Sequence, residues 1–148
     1  MDKSPKLIKG GKSENKKGII KYANGFSLSG FKRFYQIDLP RKNIIRAFHG
    51  HMKESKAVFV ISGSIILCVV YLSDKITPSK KIKPKGIVLS SKSPSVYFIP
   101  PKFANGIMSL EKNTQVIFFS DKTVKQSEKD DYRFPEDYWG KEVWKSEK

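Results

Sequence analysis

The two histidines of the chain, His49 and His51, stand in one triplet within RAFHGHMKESK, with Arg46 ahead of them and Lys53, Glu54 and Lys56 close behind. Side chains on a strand alternate with a period of two, so both imidazoles face one side. Such a pair could share a metal ion. It could also move protons, since imidazole titrates near neutrality and can take a proton from carbon beside a carbonyl. A base of that kind leaves an enolate, which a nearby cation stabilises. Arg46 and Lys56 are spaced to send their charges into the same pocket as the pair.

The spacing argues against metal. Jelly-roll metal sites add a nearby glutamate and a third histidine from a later strand. Glu54 follows His51 too closely for this, and the later position, in IPPKFANG, is Asn105. With no third histidine, a stable three-histidine site is excluded. The residues therefore predict metal-independent proton transfer without a cofactor. His49 and His51 are the catalytic candidates, and Asn105, which cannot shuttle a proton, can hydrogen-bond an oxygen. The plainer alternative, a partly buried strand end, is outweighed by the flanking charges.

These side chains need a scaffold that presents strand faces to a pocket. A chain of 148 residues, 39% of them hydrophobic, predicts one globular unit that needs no disulfide. Residues 1–21 are polar and lysine-rich and read as an arm or first strand, with a single domain over 22–148. Residues 22–39 alternate between aromatic and polar and read as a strand closed by Pro40. Two β-branched runs, 57–61 and 64–72, flank Ser62-Gly63, which marks a tight hairpin or a sheet corner. Residues 73–85 form a proline-bounded loop. Further short strands are expected at 86–89, 95–99, 107–110 and 115–119. Such strands at intervals of about ten residues, with proline and glycine between them, indicate an all-β sandwich or barrel. The expected fold is a double-stranded β-helix, a cupin-like jelly roll, with a short irregular or helical C-terminal segment. In that segment DDYRFPEDYW clamps aromatic rings onto the barrel with its acids in solvent, although a ring from Tyr132, Tyr138 or Trp139 could also stack on a ligand or supply an acid.

Composition narrows the partners. The net charge of +15 makes an anionic partner plausible. The lysines are scattered, however, and no motif of a nucleic-acid-binding module occurs, so nucleic acid is not the expected ligand. A solvated basic surface is the plainer reading, and a phosphate-bearing small molecule is a third option. Cys68 lies inside the apolar run IILCVVYL and reads as a buried thiol. The longest apolar run is far short of a membrane span, and nothing resembles a leader peptide, so the expectation is a cytoplasmic protein.

The order of these motifs resembles the dTDP-4-dehydrorhamnose 3,5-epimerases. The shared pattern is Arg46, His49, Lys56, Val58 and Gly63, followed by FIPPKFANGIMSL, and the likeness runs from about Phe34 to about Tyr138. It implies a homodimeric jelly roll acting on a nucleotide-diphosphate-linked 4-keto-6-deoxy sugar, without metal, in cell-surface polysaccharide synthesis. It further implies that His49 abstracts a proton alpha to the C4 ketone, while Arg46 and Lys56 hold phosphate or stabilise the enolate. The tyrosine that would serve as the opposing acid falls near Phe118, which leaves that role unfilled. The His-x-His pair also resembles the sugar 3,4-ketoisomerases, which move a proton between neighbouring carbons. A non-catalytic sugar-nucleotide-binding cupin is the third reading.

Overall fold

The computed structural model describes residues 4–145. Its twelve strands are β1 (Lys6–Lys9), β2 (Gly11–Asn15), β3 (Gly18–Tyr22), β4 (Arg33–Leu39), β5 (Ile45–His51), β6 (Lys56–Ser62), β7 (Ser64–Tyr71), β8 (Lys85–Ser90), β9 (Ser95–Ile99), β10 (Phe103–Ser109), β11 (Thr114–Ser120) and β12 (Tyr132–Arg133). One helical turn, α1 (Val124–Glu128), precedes β12, and a 3-10 turn covers Lys141–Trp144. Two five-stranded antiparallel sheets face each other, in the orders β1-β9-β6-β11-β4 and β12-β5-β10-β7-β8. This is the expected jelly roll.

SIILCVVY, which forms β7, shows how the sequence dictates the layers. It is apolar on both faces, and every residue but Tyr71 is buried. Ile65, Leu67 and Val69 pack between the sheets with Val58, Val116 and Phe118. Ile66, Cys68 and Val70 point the other way, where Phe134, Trp139 and Trp144 of the C-terminal segment cover them. Burial pushes the Cys68 thiol up to about 12, so it is an inert core group.

Gly63 settles the choice between hairpin and corner. β6 and β7 belong to different sheets, so the chain turns a sheet corner there. Gly63 adopts a φ of +80°, and a Cβ on it would lie within 3.0 Å of the Thr114 backbone. Only glycine meets both demands at low cost.

Three expectations change in detail. Of residues 22–39 only Tyr22, the end of β3, and β4 are strand; the turns between them, carrying Gly25 and Gly30, fold Phe26 and Phe31 onto Phe119 on the outer face of the first sheet. β10 starts at Phe103, four residues before the expected 107, because its pairing with β7 runs unbroken from Phe103 to Ser109. The expected arm holds both β1, paired with β9, and a separate hairpin, β2–β3, which runs on to Tyr22 and whose Ile19 and Ile20 are exposed. No helix among the described residues is long and apolar enough to cross a membrane.

Candidate active site

A cavity of about 340 Å³ opens between the sheets, toward the β4 edge of one and the β5 side of the other. β5 delivers Arg46, His49 and His51 to its wall. Strict alternation would turn Arg46 away from the two histidines. The register with β10 resolves this: Asn105 pairs with His49 and Ile107 with Arg46, so three residue steps on β5 oppose two on β10. This bulge returns Arg46 to the histidine face, which gives the R-x-x-H spacing a physical reason. The glycine between the histidines has a reason too. A Cβ on Gly50 would come within 2.7 Å of Leu72 and 3.1 Å of Phe134, so glycine lets the C-terminal segment pack directly behind the pair.

From the facing sheet come Tyr35 on β4, Lys56 on β6 and Phe118 on β11. Lys56 is buried, and its ammonium donates a 2.8 Å hydrogen bond to the Tyr35 hydroxyl. It also lies 5.4 Å from the Tyr35 ring centroid and 5.7 Å from that of Phe118, a cation–π arrangement that compensates for lost water. The two rings stack at 5.4 Å with planes 2° apart. Tyr35 is a site residue that motif reading missed. The expected tyrosine position is Phe118, and its cross-strand partner, Tyr35, carries the hydroxyl instead.

The same environment sets the histidine protonation. His49 is held down at about 4, first by burial and then by the positive charges of Lys56 and Arg133, against a weaker pull from Asp131. His51 is also lowered, by burial and Lys56, opposed by Glu54. Both imidazoles are therefore neutral at physiological pH and can accept a proton.

Asn105 is buried on β10 and lines the cavity, its amide directed toward the His49 carbonyl. Tyr132 is not part of the wall. Its ring joins the cluster behind the second sheet, under the Lys75 ammonium. Its chain neighbours Asp131 and Arg133 reach the cavity instead, joined by a 3.1 Å ion pair. Nor are all the C-terminal acids in solvent. Asp130 is buried, and its carboxylate accepts the backbone N–H groups of Met52, Lys53 and Glu54 at 2.8, 2.8 and 2.9 Å. It thereby fixes the turn that follows the histidine strand. α1 closes one side with Ser127 and Glu128, and Arg33 ties it to the barrel by donating to Ser127 Oγ at 2.8 Å.

His51, Glu54 and Asp130 lie near enough to suggest a cation site. The chemistry of the donors does not fit one. Both Asp130 oxygens are occupied by backbone N–H groups and His51 Nδ1 by a carbonyl. Glu54 Oε1 and His51 Nε2 are then the two donors left, fewer than a stable divalent site needs.

The family model for dTDP-4-dehydrorhamnose 3,5-epimerase matches residues 22–140. The chain belongs to this family. The family is one of isomerases, and the protein is an isomerase of that family. Solved structures with the same fold include dTDP-4-dehydrorhamnose 3,5-epimerase from Bacillus anthracis with TDP and pyrophosphate bound. The two are 21% identical, with a TM-score of 0.69 over 87% of this chain and 77% of that one. A sugar 3,4-ketoisomerase from Thermoanaerobacterium thermosaccharolyticum in complex with TDP is 21% identical, with a TM-score of 0.65 over 91% of each chain. A dTDP sugar isomerase from Desulfovibrio desulfuricans is 15% identical, with a TM-score of 0.72 over 97% of this chain and 89% of that one. At these identities the structural likeness carries the fold. No curated protein sequence matches the chain.

Proposed function

We propose that the protein epimerises a dTDP-linked 4-keto-6-deoxy sugar by metal-independent proton abstraction next to the C4 ketone. The observation that carries this reading is that His49 and Tyr35 meet one cavity from opposite sheets, with the Lys56 ammonium hydrogen-bonded to Tyr35. Neutral His49 removes the proton from C3 or C5. The C–H bonding pair moves into the enolate, whose charge Lys56 and Arg46 offset. Tyr35 returns a proton from the other face, which inverts the centre, and Lys56 stabilises the phenolate it leaves. Arg46 and Arg133 offer charge for a diphosphate. Homodimerisation belongs to the same reading, and the exposed Ile19 and Ile20 of the β2–β3 hairpin offer an apolar surface for it.

Ketone migration between C4 and C3 is the second reading. It is favoured by His51, whose Nε2 has no protein partner although the ring lines the cavity beside His49. Incubation with dTDP-4-keto-6-deoxyglucose and NMR of the product separate the two. Epimerisation keeps the carbonyl at C4 and inverts a neighbouring centre, whereas ketoisomerisation moves the carbonyl to C3. Recovery of unchanged sugar at stoichiometric enzyme overturns both.

A further inference from the structure

Glu54 is a carboxylate without a role in the chemistry so far, and its burial is costly. Its side chain is wholly enclosed in the turn between β5 and β6. Oε2 accepts the Ser120 hydroxyl at 2.5 Å and lies 3.7 Å from Arg33 Nη2, whereas Oε1 has no hydrogen bond. A buried carboxylate oxygen with no donor is unfavourable unless a charge forms beside it. The group beside it is His51, with Nδ1 3.5 Å away.

The hydrogen bonds around that nitrogen decide its protonation. Nδ1 lies 2.7 Å from the Asp130 carbonyl oxygen, which can only accept. With acceptors on both sides, Nδ1 must carry the hydrogen, and in the neutral ring Nε2 keeps the lone pair. Nε2 is also buried and without a protein partner. We propose that Glu54 is a positioning residue for His51: with the Asp130 carbonyl it holds the Nδ1–H tautomer, and it offsets the charge His51 gains when Nε2 takes a proton. The groups facing His51 divide cleanly. Lys56 and burial oppose that charge, Glu54 and Asp130 support it, and His49 lies two residues away on the same face. Glu54 thus makes His51 a second proton carrier, as ketone migration requires. This last step rests on the isomerase reading above; the tautomer and the charge coupling do not.

The test uses the two imidazoles of the intact protein. In 15N-labelled protein, with the His49→Asn variant for assignment, the account expects His51 as the Nδ1–H tautomer at neutral pH. Glu54→Gln, which preserves shape and hydrogen-bonding capacity, moves the His51 titration to lower pH. It also lowers kcat by roughly ten- to a hundredfold with KM nearly unchanged. A His51 found as the Nε2–H tautomer, or a titration unmoved in the folded variant, overturns the proposal. Should the variant fail to fold, Glu54→Asp, which draws the charge back from Nδ1, moves the same titration to lower pH, and a titration unmoved in it overturns the proposal. The NMR measurement reads the ring and not turnover, so an unmoved titration indicts Glu54, whereas absent turnover in the wild type indicts the isomerase reading.

Discussion

The Lys56 ammonium donates to the Tyr35 hydroxyl at 2.8 Å across β11, which lies between the strands that carry them. The contact places a cation against the group best situated to act as an acid. Tyr35→Phe keeps the ring that stacks on Phe118 and removes only the hydroxyl. We expect kcat to fall by about a hundredfold or more. Solvent exchange at the carbon facing His49 should persist, because abstraction does not use Tyr35. Product analysis alongside deuterium incorporation checks this, and inversion at the wild-type rate would exclude Tyr35 as the acid.

His49, held down at about 4 by burial and by Lys56 and Arg133, sets the pH response. Activity requires the neutral ring, so the acid limb of kcat/KM should fall well below the ordinary histidine value of about 6.5. Stability follows the same group with a definite sign. The folded pKa lies below the unfolded one, so the unfolded chain binds more protons between about pH 6.5 and about pH 4. Stability is therefore lost as pH falls through that window. His49→Asn should flatten the slope of Tm against pH there.

Lys56 lowers both histidines by its charge. Lys56→Met keeps the length and apolar contact of the side chain and removes the ammonium. Two effects are expected together: the acid limb moves to higher pH, and kcat falls because the enolate and the Tyr35 phenolate lose their cation. A pH–rate profile reads both. A loss confined to KM would mean that Lys56 only binds substrate.

Trp139 tests the second core. It is 1% exposed, packs edge-on against Phe48 with centroids 4.8 Å apart, and donates from Nε1 to the Ser79 carbonyl. Trp139→Ala should cost about 3–5 kcal/mol in a denaturant titration. Phe48 lies between Ala47 and His49, so the loss should be accompanied by looser substrate binding. Wild-type stability would show that the C-terminal segment is not needed to hold β5.

Much of this was legible in the sequence, for identifiable reasons. β7 announced itself because both its faces are apolar, and the break at Gly63 because a breaker sits between two β-branched runs, although hairpin and corner were told apart only by the sheet order. His49, His51, Arg46, Lys56 and Asn105 line one cavity, and the bulge that aligns Arg46 with the histidines exists only in the pairing with β10. Tyr35 was hidden because a motif reads along one strand, whereas the hydroxyl arrives from the neighbouring strand, across the sheet from the expected position. Asp130 was hidden because acids in a polar segment read as solvated, and its three backbone partners come from residues 52–54. One local signal went unread. TVKQ carries a capping box, with Thr123 Oγ1 accepting from Gln126 N and Gln126 Oε1 from Thr123 N, and this starts α1 at the mouth of the cavity.

The central claim is that neutral His49 removes a proton from carbon beside the ketone. Its most direct test is incubation with dTDP-4-keto-6-deoxyglucose in deuterated water, comparing the wild type with His49→Asn by mass and proton NMR. The account predicts deuterium at C3 or C5 with the wild type and a loss of that incorporation by about a hundredfold or more in the variant. Incorporation at equal rates in both proteins, or none with the folded wild type, would contradict it.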